Sequence, residues 1–410
     1  MAPPRETVIM VRLFPCLVLL LCSACAALPI RDPVSLEHYQ ARLRTADGWQ
    51  LSLFRLPPAA TARDLPHFGV PVLLVHGTAI NRYNFMLPGS NLAQYLSQSG
   101  FDVWLPELRG DRSSRAPDRR TWRRGQWTLE DMVDHDIPAV LDHVLAESGA
   151  ERVWWIGHSL GGILGYLSLQ HSRADDIAGI IAIGSPGAFE QPSRLLQRAA
   201  QAAAGLPRRG QFSTRGAGRL LAPLAHVAPD NNLLHGIVNH QNVDLADMTG
   251  MVNEAMENVS MATVRQYISW LESGVLTSAD GSRNYSDGLA QIQVPALLVA
   301  GRVDHIVPPW TVRAGYQLLG SEDKSFVVLG RGWGTQYDYG HGDLLVGSRV
   351  EEELFPLLGQ WLRARATGRG GPKGALEVLV SERQDPLLQA EELADEPETG
   401  ERSDGPEVDQ

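Results

Sequence analysis

Gly157-His158-Ser159-Leu160-Gly161 is a Gly-x-Ser-x-Gly pentapeptide standing between an apolar strand and a helix. Upstream, Arg152-Val153-Trp154-Trp155-Ile156 has the β-branched and aromatic make-up of a buried parallel strand. Downstream, Gly162-Ile163-Leu164-Gly165-Tyr166-Leu167 puts small residues where a helix must run close to a sheet. A turn this sharp would drive ordinary side chains into neighbouring backbone, so glycines flank the serine. The element reads as a nucleophilic Ser159 on a strand-to-helix elbow, with its Oγ pushed into the open.

On both sides of the elbow, strand and helix signals alternate. Residues 41–45 and 49–54 flank Asp47-Gly48 and predict an antiparallel hairpin. Residues 70–75, Val-Pro-Val-Leu-Leu-Val, form the continuous apolar run of a strand covered on both faces. Further strands are expected at 101–105, 177–183, 294–300 and 325–329, with a helix-like segment at 92–96. Another helix opens at Thr128, where Asp131 completes a variant capping box, and runs through Val133, Ile137, Val140, Leu141 and Val144 to Gly149. This alternation predicts an α/β fold with a mostly parallel central sheet flanked by helices, over residues 38–186 and 289–365. Residues 187–288 lack a strong strand signal and read as a helical cap, broken at Pro207, Pro223 and Pro229 and helical around 253–271. An insertion there belongs over the carboxyl edge of the sheet, where loops carry function.

Two later segments supply chemistry for Ser159. Gly301-Arg302-Val303-Asp304 puts an acid just past a late strand, and Tyr339-Gly340-His341-Gly342-Asp343 puts a histidine in a glycine-flanked loop after the last one. In the order Ser159, Asp304, His341, a neutral imidazole accepts the serine proton and returns it to the leaving group. The carboxylate fixes the ring tautomer and offsets the imidazolium charge. Asp343 is the rival acid, with loop ordering as its plainer role. The tetrahedral oxyanion needs donors, and the backbone N–H groups of Leu160 and Thr78, within His76-Gly77-Thr78, are the natural pair. His76, His158 and His305 read as local loop-ordering histidines. In the cap, Met248, Met251 and Met256, with Val252 and Val259, recur at helical spacing and are expected to line an acyl pocket facing Ser159. Core filler is the competing reading for such methionines.

Taken with Glu107-Leu108-Arg109-Gly110, Val307-Pro308 and the segments above, the chain resembles α/β-hydrolases with a serine nucleophile across residues 38–365. Its cap position and the run His341-Gly342-Asp343-Leu344-Leu345-Val346 are similar to acid lipases and to polyhydroxyalkanoate synthases. The synthases use cysteine where Ser159 stands, which argues against polymer synthesis. The resemblance implies a serine esterase or lipase that cleaves a small-molecule or lipid ester through an acyl-enzyme. An acyltransferase and a non-catalytic binding protein are the alternatives.

Composition bounds these readings. The 410 residues are 44% hydrophobic, enough for a sizeable core. The net charge of −11 is concentrated in residues 377–410, which hold twelve Asp or Glu against two Arg, so the overall sign implies no partner. Residues 366–410 read as a disordered acidic tail. Residues 1–26 pass from Arg5 and Arg12 through an apolar run to small residues, the order of a secretory signal, with Met10 an alternative start. Ala24-Cys25-Ala26 fits a signal-peptide site and Ser23-Ala24-Cys25 resembles a lipobox, so the expectation is an exported protein, secreted or attached to the envelope. All three cysteines, Cys16, Cys22 and Cys25, fall in this leader, which removes thiol chemistry and disulfides from the body. No metal, nucleotide or nucleic-acid motif occurs, so no cofactor is implied. Residues 109–124 carry seven Arg against two Asp beside Trp122 and Trp127. Without an amphipathic period they read as a solvated loop, a membrane interface with anionic headgroups being the alternative.

Overall fold

The computed structural model describes residues 40–189, 192–205, 207–218 and 238–367. The leader, the acidic tail from residue 368 and the part of the insertion holding Pro223 and Pro229 lie outside the described residues. The main strands are β1 (Gln40–Arg44), β2 (Gln50–Leu56), β3 (Pro71–Val75), β4 (Asp102–Glu107), β5 (Val153–His158) and β6 (Ile177–Ile183). The short β7 (Gln211–Phe212) and β8 (Val259–Ser260) precede β9 (Ala296–Gly301) and β10 (Lys324–Leu329). Eight of these strands form one sheet in the order β1-β2-β4-β3-β5-β6-β9-β10. From β4 to β10 every pairing is parallel, and β1 and β2 add an antiparallel edge. The expected hairpin forms with Leu43 opposite Leu51, turning through Gly48 at φ 91°.

The continuous apolar runs end up where their composition requires. Every residue of β3, β5 and β9 is buried, because helices cover both faces of the sheet. One apolar layer gathers Trp155, Leu164, Tyr166 and Ile180, and the other gathers Val299, Leu345, Phe355 and Trp361. Trp155 shows how the core supports the elbow: fully buried in β5, it donates its indole N–H to the carbonyl of Gly161 at 2.9 Å. Truncating such a side chain to alanine costs about 3–5 kcal/mol.

The capping box at Thr128 is present, with Thr128 N–H donating to the Asp131 carboxylate at 2.8 Å. The helix it opens is not regular throughout. A wide π turn, Met132–Asp136, precedes Ile137–Ser148, because Pro138 offers no N–H and crowds the preceding turn. That turn leaves the buried Asp136 carboxylate to bind Arg109 at its backbone N–H, Nε and Nη2, all within 2.9 Å.

The insertion between β6 and β9 also departs from expectation. Rather than one helix over 253–271, it holds Leu245–Gly250, a wide turn at Met251–Ala255, the strand β8 paired with β7, and a fresh helix Met261–Ser273. Met256 is extended, at φ −66° and ψ 135°. The last helix has its own cap, Ser260 Oγ accepting from Thr263 N–H at 3.0 Å. Met248, Met251, Met256 and Val259 therefore do not share one helical face.

Candidate active site

Ser159 sits between the end of β5 and the helix Leu160–Ser168, at φ 53° and ψ −116°. A non-glycine residue in this region carries strain, and here the surrounding bonds fix it. Ser159 N–H donates to the carbonyl of Ile183 at 2.8 Å, and Ser185 Oγ donates to the carbonyl of Ser159 at 2.9 Å. The flanking glycines are required by close approach. A Cβ on Gly157 would overlap the backbone of Gly161, and one on Gly161 would overlap the carbonyl of Val75 at the end of β3.

Asp304 and His341 come together 37 residues apart in sequence, with His341 Nδ1 at 2.8 Å from Asp304 Oδ2. The other carboxylate oxygen of Asp304 accepts from the backbone N–H groups of Ile306 and Val307 at 2.8 and 2.7 Å. Asp304 is thus locked from behind by its own loop and presents one oxygen to the ring. Asp343 is differently engaged. It accepts from Gly340 N–H and Asn239 N–H at 3.0 Å and from Asn242 Nδ2 at 3.1 Å, which holds the histidine loop closed. Burial pushes its carboxyl up to about 6, against those hydrogen bonds.

His158 joins the elbow to the histidine loop. Its Nε2 donates to the carbonyl of His341 at 3.1 Å, and the two rings lie 4.9 Å apart. Burial, reinforced by any charge on His341, drives the His158 imidazole down to about 3, so it stays neutral. Gly184, left-handed at φ 56°, runs close beside the His341 ring.

The loop after β3 closes the other side. Gly77 passes against Ser159 and His158, and Ala79 is held at φ 63°. A small cavity is lined by residues including Gly77, Thr78, Leu160, Val259 and Ser260, so the two residues expected to donate to an oxyanion share one wall with the cap. Beneath it, His76 Nε2 lies 2.9 Å from Asp111 Oδ2 and His76 Nδ1 lies 3.0 Å from the carbonyl of Gly77, all buried. Burial alone would depress the imidazole, but the Asp111 carboxylate outweighs it and lifts His76 to about 9. Burial, with help from Glu107 and Glu257, likewise raises Asp111. His76 and Asp111 accordingly form a buried pair under the loop. His305 does not contribute a side-chain contact to the triad region; its carbonyl accepts from Ser193 Oγ at 2.6 Å.

Contacts from the cap, absent from the sequence reading, fasten this loop. Thr78 Oγ1 meets Tyr267 Oη at 2.5 Å. Glu257 N–H donates to the carbonyl of Ala79 at 2.6 Å, and Asn81 N–H donates to the carbonyl of Ala255 at 3.0 Å. The buried Glu257 carboxylate binds Asn81 Nδ2 at 2.8 Å and Arg112 Nε at 2.7 Å. Of the cap methionines, Met256 pairs with Ile80 in an isolated antiparallel bridge beside this loop. Met251 instead packs against the apolar layer that includes Leu344 and Leu345, and Met248 is half-buried in its short helix. Nothing in sequence spacing marks Tyr267 or Glu257, since their partners are far away along the chain.

Among the described residues, no cluster of His, Cys, Asp and Glu could hold a metal ion, and no helix is long and apolar enough to cross a membrane.

The family model described as alpha/beta hydrolase fold matches residues 70–330. Over 154 residues the chain is 32% identical to "Triacylglycerol lipase 2" of Arabidopsis thaliana, covering 35% of this chain and 36% of the relative. Over 146 residues it is 29% identical to "Gastric triacylglycerol lipase" of Mus musculus, covering 34% and 36% respectively. The chain thus spans about a third of the length of the curated relatives it matches. A thermophilic esterase from Thermogutta terrifontis shares the fold at a TM-score of 0.53 and 20% identity, over 80% of this chain and 100% of that one.

Proposed function

The chain belongs to the α/β-hydrolase fold family, and from that premise we propose that it is a serine hydrolase cleaving carboxylic esters through an acyl-enzyme. The observation that carries this is the 2.8 Å Asp304–His341 pair set beside the strained Ser159 elbow. In this reading His341 takes the Ser159 proton as Oγ attacks the ester carbonyl, then gives it to the departing alcohol. Asp304 keeps Nδ1 protonated, so that Nε2 is the free base, and offsets the charge that develops. The backbone N–H groups of Leu160 and Thr78 stabilise the oxyanion, and Leu160 adds the positive end of its helix. Water, oriented by the same imidazole, then releases the acid.

Likeness to triacylglycerol lipases over a third of the chain supports an ester substrate, with its acyl part between the sheet edge and the cap. Within the cap, Met256 bridges by its backbone to Ile80, which lines the small cavity, while its sulfur packs at Gly218. Residues 1–26 support export to the cell exterior or envelope. A fluorophosphonate probe tests the nucleophile: it should label wild type at Ser159 and leave Ser159→Ala unlabelled. A p-nitrophenyl ester series of increasing chain length then separates a hydrolase from a binding protein. No label and no turnover on any ester would overturn the proposal.

A further inference from the structure

The arginine-rich run that sequence reads as a solvated loop is divided by the fold into two sets. Arg109 is buried on Asp136 and Asp47, and Arg112 pairs with Glu257, so both are structural. The remainder of the run continues into a short helix, Arg119–Arg124, all four of whose arginines are exposed. With Arg209 from the insertion they line one open concavity of about 510 Å³, to which no carboxylate contributes. Asp118, which opens the helix, is engaged in capping it: Oδ1 accepts from the N–H groups of Arg120 and Thr121, and Oδ2 accepts from Thr121 Oγ1.

This cationic surface is held firmly. Trp122 anchors the helix on Trp49 and Trp127, at ring separations of 6.3 and 6.0 Å. The cap fastens the other side, with Gly210 N–H on the carbonyl of Arg124 at 2.7 Å and Gln211 Nε2 on the carbonyl of Trp122 at 2.9 Å. Next along the chain stands Phe212, 40% exposed, one of three large apolar side chains so exposed among the described residues. Its strand partner, Val259, lies on the wall of the cavity shared with Thr78 and Leu160. The charged concavity and the cavity lined by Thr78 and Leu160 therefore adjoin through one two-stranded ribbon.

We infer that Arg119, Arg120, Arg123, Arg124 and Arg209, with Phe212, form a docking surface for an anionic phospholipid bilayer. Five cations spread over an open hollow suit an array of phosphate headgroups, and a protruding aromatic beside them suits the interface. A free phosphate would be better served by an enclosed nest of converging donors. Docking would set the cap-side wall of the cavity towards lipid, and in this respect the inference rests on the ester-hydrolase reading.

Sedimentation of the full chain with vesicles tests it without requiring turnover. Binding is expected to phosphatidylcholine vesicles containing phosphatidylglycerol, to weaken steeply with salt, and to be absent on pure phosphatidylcholine. Each arginine is expected to contribute about fivefold, so the combined R119Q, R120Q, R123Q and R209Q variant should lose nearly three orders of magnitude, about 600-fold. Phe212→Ser should lessen the binding that survives at high salt. Hydrolysis of a soluble short-chain ester and the melting temperature should stay unchanged in these variants, which certifies the fold. Equal binding to neutral vesicles, or undiminished binding by the quadruple variant, would overturn the inference. So would full displacement by millimolar inorganic phosphate at constant ionic strength, which would assign a compact anion site instead. Failure to bind with ester turnover intact removes the docking surface and leaves the hydrolase; binding without turnover does the reverse.

Discussion

The hydroxyls of Thr78 and Tyr267 lie 2.5 Å apart although 189 residues separate them in sequence, so a cap helix holds the loop that faces the serine elbow. If Thr78 N–H donates to the oxyanion, this contact positions the donor without touching substrate. Tyr267→Phe should then lower kcat about fivefold, the worth of about 1 kcal/mol for one hydrogen bond, and leave KM nearly unchanged. A change confined to KM would place Tyr267 against substrate instead.

The three residues proposed to form the catalytic constellation should fail unequally. Ser159→Ala and His341→Ala are each expected to cut turnover by about six orders of magnitude, since nucleophile and base act as a unit. Asp304→Asn should cost about four orders, through the wrong ring tautomer. Asp343→Asn should chiefly lower thermal stability, because its oxygens hold the loop and not the ring. Steady-state rates on one soluble ester, beside melting curves, decide between the two acids.

The buried His76–Asp111 pair makes stability depend on pH. His76 has a folded pKa near 9 against an ordinary 6.5, so its contribution is fully present below pH 6.5 and is lost as pH rises through 9. The loss amounts to about 3 kcal/mol as an upper bound. The raised Asp111 carboxyl acts in the same sense at lower pH. In Asp111→Asn the buried imidazole loses its counter-charge, and the alkaline slope should vanish. Denaturant titrations from pH 6 to pH 10 would show a persisting slope if another group were responsible.

Chain-length preference should respond to Met256 and not to Met248. Met256→Ala is expected to shift the preferred acyl chain by tenfold or less per methylene, with acetate esters little affected. Equal losses on short and long esters would mean a packing defect.

What the sequence discloses about this molecule is local. The elbow, the Asp47-Gly48 hairpin and the Thr128 capping box are written in consecutive residues, and each forms as read. Asp304 is legible over Asp343 because it stands directly past a strand end, where a loop can aim it at the sheet's edge. The continuous helix expected over 253–271 fails at Met256, where bonds to the loop after β3 override helical spacing. Tyr267, Glu257 and Asp111 are illegible for the same reason. Their roles come from partners in other elements, and a polar side chain with a distant partner looks like a surface one until the chain closes. The Arg119–Arg124 helix escaped notice because it is too short for a period, and Asp118 and Gly125 supply its ends.

The cap bonds on Ala79 and Asn81 also bear on when the proposed activity arises during synthesis. A growing chain that has completed β6 possesses the serine elbow, yet residues 255–257 and Tyr267, which hold the neighbouring loop, follow much later, and His341 later still. Domains close as units once their distant contacts can form. On the proposed hydrolase reading, an unfinished polypeptide therefore carries an inert hydroxyl, and reactivity begins only when the molecule is whole.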